Sequence, residues 1–80
     1  MKNRYTDKYI MLGKNIKKYR KKLGLSQEDL ADKMSISRSY LSKIEAPNYV
    51  KSFSIETLFL LAEALGVQAH KLLEFENEEE

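Results

Sequence analysis

Apolar residues recur along this chain in steps of three and four. Leu12, Ile16, Tyr19 and Leu23 stand at intervals of four, three and four, which places them on one face of a helix. A first helix is therefore expected from about Ile10 to Leu23. Lys14, Lys17, Lys18, Lys21 and Lys22 fill its other faces, and Gly24 ends it. Lysines in the last turn suit the negative end of the helix dipole. Ser26 begins a second helix, with Asp29 three positions on completing a Ser-x-x-Asp capping box. Leu30, Ala31 and Met34 form its inner face. Ser35-Ile36-Ser37 makes a turn, and Ser37 caps a third helix reaching about Ala46, where Pro47 and Asn48 stop it.

The same rhythm continues beyond a loop, residues 48–53, that contains Tyr49, Val50 and Phe53. Ser54 caps a fourth helix with Leu58, Leu61, Ala62 and Leu65 as its stripe and Gly66 as its stop. A short fifth helix is expected from about Ala69 to Phe75, contributing Leu72 and Leu73. No stretch alternates with the period of a strand, and no internal repeat is visible. The pattern predicts an all-α bundle of five helices. A flexible segment over residues 1–9 precedes a single domain at 10–75, and an acidic, disordered tail at 76–80 follows it.

Composition narrows the chemistry. Eighty residues hold one core. The absence of cysteine excludes disulfides and Cys-ligated metal, so packing alone must hold the fold. No apolar run approaches the roughly 18 residues of a membrane span, and the amino end lacks the apolar stretch of a secretory signal. A cytoplasmic protein without membrane contact is expected. The net charge of +2 conceals a division: residues 1–51 carry 13 Lys/Arg against 5 Asp/Glu, and residues 52–80 carry 1 against 7. The front half is thus at +8 and the back at −6. A basic front on one small domain points to an oriented, polyanion-facing surface.

The single histidine, His70, stands beside Lys71 and away from any acid cluster of catalytic spacing. There is no Gly-rich phosphate loop, nucleophile elbow or carboxylate pair. Neither an enzyme nor a cofactor or metal site is expected.

Helical spacing puts Leu41 and Ile44 of the third helix on the core side, with Tyr40 at the border. Arg38, Ser39, Ser42 and Lys43 then face outward. An arginine can give two hydrogen bonds to guanine O6 and N7, a lysine can reach the same acceptors or a phosphate, and serines suit base edges or backbone oxygens. At the start of the second helix, the Gln27 amide and the free N–H groups can hold a phosphate.

In order, Leu23-Gly24-Leu25-Ser26-Gln27, Leu30-Ala31, Ile36-Ser37-Arg38-Ser39, Ile44-Glu45 and Leu58…Leu61-Ala62…Ala64-Leu65-Gly66-Val67…Leu72-Leu73 resemble the XRE/Cro–C1-type helix-turn-helix family. This is the λ-repressor-like DNA-binding fold, and the likeness runs from Leu12 to about Phe75. It implies a helix-turn-helix at helices two and three, with the third helix in the major groove. By the resemblance, Arg38, Ser39, Ser42 and Lys43 read bases, and Gln27 holds a phosphate. Further backbone contacts are expected from Ser37, Tyr40 and Lys51. It also implies a partly buried ion pair between Arg20 and Glu45, which neutralises the one acid of the recognition helix.

The chain departs from the family pattern at three places. Ser35 stands at a turn position usually held by glycine, so its backbone must be strained or altered. Ala46-Pro47-Asn48 replaces a usual glycine after the third helix, and Phe53 stands where proline is common. The expected function is that of a transcriptional regulator, a repressor of double-stranded DNA sites. It would bind as a homodimer, for which Phe59, Val67, Leu72 and Phe75 are the candidate contact residues. The alternative is a protein-interaction module or antitoxin-type partner built on the same fold.

Overall fold

A computed structural model of the chain describes residues 5–46 and 53–75. Its helices are α1 (Thr6–Lys22), α2 (Gln27–Met34), α3 (Arg38–Glu45), α4 (Ile55–Leu65) and α5 (Ala69–Leu72). No strand occurs among the described residues.

Local chemistry sets most helix boundaries. Ser26, Ser37 and Ser54 each accept the backbone N–H of the residue three positions on, at 3.0–3.1 Å. At α2 the box closes reciprocally, because the Asp29 carboxylate accepts the Ser26 N–H at 3.0 Å. That bond is the main reason the Asp29 carboxyl is held below its ordinary pKa. Three helices end in one way. Gly24, Ser35 and Gly66 take left-handed backbone with φ of 71°, 57° and 72°. The residue after each returns its N–H to a helix carbonyl: Leu25 to Arg20, Ile36 to Ala31 and Val67 to Ala62. Ser35 therefore does what the two glycines do, with a Cβ in the way.

Three expected boundaries are corrected. The first helix begins at Thr6, four residues before Ile10, so Thr6–Tyr9 lie in helix and not in a flexible leader. Thr6 is buried, and Tyr9 packs on the core and meets Phe53 edge-on, ring centroids 6.3 Å apart. The Tyr9–Phe53 contact joins residues far apart in the chain, which a local stripe cannot announce. The same helix ends at Lys22, leaving Leu23 outside it and 51% exposed, while Leu25 packs against the core instead. The fifth helix stops at Leu72 rather than Phe75. There the Asn15 side-chain amide, reaching from α1, donates to the carbonyls of both Leu72 and Glu74 at 2.9 Å. Leu73 is left at the surface.

The core draws on every helix. Ile16, Leu30, Leu41, Leu61 and Leu72 are its largest fully enclosed side chains. Leu12, Met34, Ile44, Leu58 and Leu65 surround them. Of the loop expected at 48–53, residues 48–52 lie outside the described residues, as does the tail expected at 76–80.

Candidate nucleic-acid interface

The outer face of α3 is built by what stands behind it. Leu41, Ile44 and Glu45 are buried, so the helix is anchored along one side. Arg38, Ser39, Ser42 and Lys43 are all exposed on the other and together line a single shallow depression. A guanidinium, an ammonium and two short hydroxyls make a set that suits hydrogen bonding to base edges. Tyr40 is half-buried against the core, and the Ser37 hydroxyl is engaged as the helix cap. Lys51 lies outside the described residues.

Backbone proximity holds α3 to α1. A Cβ placed on Gly13 would stand 2.7 Å from the Ile44 carbonyl oxygen and 3.4 Å from the Glu45 Cα. Only glycine lets the two helices approach this closely.

Seven residues above Gly13 on α1, Arg20 grips the end of α3. Its Nε donates to Glu45 Oε2 at 2.8 Å and its Nη2 to Oε1 at 2.9 Å, while Nη1 donates to the Leu25 carbonyl at 2.8 Å. The pair is planar and two-pronged, the geometry in which arginine binds carboxylate most firmly. The bond to Glu45 raises the Arg20 pKa above its ordinary value, against the opposing effect of burial. Glu45 is 7% exposed. Its Oε1 also accepts the Gln27 side-chain amide at 3.1 Å. The amino end of α2 is thereby connected to the ion pair, a link that sequence reasoning treated as two separate features.

Basic groups extend over α1. Lys14, Lys17, Lys18, Lys21 and Lys22 are exposed, and the ammonium groups of Lys18 and Lys22 each lie 5.4 Å from the centre of the Tyr19 ring. Exposed acids stand on α1 (Asp7), on α2 (Glu28, Asp29 and Asp32), on α4 (Glu56 and Glu63) and after α5 (Glu74). His70 is exposed on α5. Among the described residues, no group of three or more His, Cys, Asp or Glu side chains is placed to hold a metal ion. No helix among them is long and apolar enough to cross a membrane.

Two capped helices joined by a left-handed turn, the second anchored behind and polar in front, define a helix-turn-helix domain. The helix-turn-helix family profile matches residues 16–72, and the chain belongs to that family, in its XRE/Cro–C1 branch. It is 41% identical over 70 residues to the HTH-type transcriptional regulator SinR of Bacillus subtilis, a span that covers 88% of this chain and 62% of SinR. The immunity repressor of Bacillus phage phi105 is 44% identical over 64 residues, covering 80% of this chain and 43% of the repressor. The crystal structure of SinR, the master regulator for biofilm formation, in complex with DNA superposes with a TM-score of 0.72. The match covers 79% of this chain and 98% of that one at 41% identity. The chain thus spans less than two thirds of these curated relatives. The fold is λ-repressor-like, and these relatives are regulators of transcription rather than enzymes.

Proposed function

We propose that this domain binds double-stranded DNA sequence-specifically in the service of transcriptional repression, with α3 in the major groove. The observation that carries the reading is the one exposed polar face of α3, Arg38, Ser39, Ser42 and Lys43, set on an anchored helix. The DNA complex of SinR and the repressor role of the phage relative support it. Arg38 and Lys43 supply direct base contacts, with Ser39 and Ser42 as short partners. The amino end of α2, with Gln27, supplies a phosphate site, because the first N–H groups of a helix have no partner within it. Ser37, Tyr40 and Lys51 complete the backbone contacts in this reading.

One domain reads only a few base pairs, so useful specificity calls for two copies on half-sites about one turn of DNA apart. The surface that supports a homodimer is the outer side of α4, where Ile55 and Phe59 are 64% and 56% exposed. Leu72, expected there, is fully enclosed and is not available; Val67 and Phe75 are half-buried against the core.

The test is selection of binding sites from a random duplex library by the wild type and by Arg38→Ala. Loss of Arg38 should weaken the selected site by about 1–3 kcal/mol and relax preference at one position. An unchanged site and affinity would remove Arg38 from base reading. Binding should also weaken log-linearly with salt; no duplex binding at low salt would favour the protein-interaction reading instead.

A further inference from the structure

We infer that Glu45 is a positioning residue for DNA backbone contact, acting through Gln27, in addition to joining α3 to α1. The inference rests on the DNA-binding reading above.

The carboxylate of Glu45 has three donors around it. Arg20 takes both oxygens, and Oε1 accepts a third bond from Gln27 Nε2 at 3.1 Å. Arg20 completes its own bonding on the Leu25 carbonyl, so its charge is turned inward and balances Glu45. Gln27 is the first residue of α2 and is half-buried. Its amide nitrogen carries two hydrogens in one plane. When one of them is held on Glu45, the direction of the other is fixed, and the nitrogen rather than the oxygen is kept beside the α2 terminus. A phosphate needs a donor there, and the neighbouring Gln27 and Glu28 backbone N–H groups are left open by helix geometry.

An unheld glutamine would have to give up its rotamer freedom on binding and could present its oxygen to the phosphate. Pre-ordering one such side chain corresponds to about a threefold to tenfold gain in affinity. Because an uncharged amide releases no counterion, the gain is the same at every salt concentration. Because it concerns the backbone, it is the same for every sequence.

The experiment measures duplex affinity for the full 80-residue chain and for Gln27→Ala, Glu45→Gln and the double variant. It uses a duplex recovered by the selection above and a scrambled one, each across a salt series. Gln27→Ala should weaken both duplexes about threefold to tenfold with the salt slope unchanged, and Glu45→Gln should do the same at the high-salt end of the series, where the Arg20 charge it leaves unbalanced is screened. In the Gln27→Ala background, Glu45→Gln should cause no further loss. Losses that add, or a Gln27→Ala variant that binds like the wild type, overturn the inference while leaving DNA binding intact. A wild type that binds neither duplex overturns both.

Should Glu45→Gln not fold, the Gln27 side-chain NH2 signals of the wild type decide by NMR. Every glutamine amide gives two proton signals because its C–N bond turns slowly, so the sign is displacement: one Gln27 Nε2 proton should lie well away from its position in an unfolded peptide, and the other should shift on adding duplex. Signals that coincide with the unfolded peptide's and ignore the duplex overturn the inference.

Discussion

Ser35 has the φ of 57° that Gly24 and Gly66 adopt without a Cβ. A left-handed non-glycine residue costs about 1–2 kcal/mol, partly offset by the extra freedom glycine would have in the unfolded chain. Ser35 is exposed, so little packing opposes its replacement. Ser35→Gly should raise stability by about 1 kcal/mol and the thermal midpoint by about 4–8 °C, read by calorimetry. Asp29 gives a pH dependence. Its carboxyl is held below the ordinary value of 3.8, chiefly by the Ser26 N–H. A depressed folded pKa means the contribution is complete above that ordinary value and disappears as pH falls through the folded one. Wild type should therefore have the higher thermal midpoint than Asp29→Asn at neutral pH. That advantage should shrink as a pH series descends below about 4.

The contact between α1 and α3 sets where α3 sits. Gly13→Ala would drive a methyl against the Ile44 carbonyl, 2.7 Å away, and backbone on both sides cannot yield cheaply. A loss of about 1–3 kcal/mol is expected in urea unfolding. Such contacts also mark the limit of what the sequence discloses. The serine caps, the stops at Gly24 and Gly66, and the outward set on α3 are consequences of neighbours a few positions apart, so periodicity and cap chemistry reveal them. The Arg20–Glu45 pair was accessible only through family likeness. Gly13, the Asn15 amide on α5, the Gln27–Glu45 bond and the early start at Thr6 all depend on residues far away in the chain. Nothing in a local window distinguishes Gly13 from a weak point in a helix, or Asn15 from a surface amide.

The molecule separates its tasks in space. Most of the exposed basic residues lie on α1 and α3, the exposed acids Glu56, Glu63 and Glu74 follow later in the chain, and α4 carries the exposed apolar groups Ile55, Phe59 and Leu60. If α4 mediates pairing, Phe59→Glu should convert a dimer to a monomer in sedimentation and abolish cooperative filling of paired half-sites. Affinity for a single half-site should be reduced far less. This spatial division does not make the halves separable. Asn15 binds carbonyls 57 and 59 positions further along, and Leu72, with no exposed surface, closes the core from the same end. A growing chain that has produced all of α1, α2 and α3 already owns every side chain assigned to DNA except Lys51, yet it still lacks the plug and the anchor points that hold α1 in place. The fold that presents them is therefore completed late, with the last residues of its core to be synthesised.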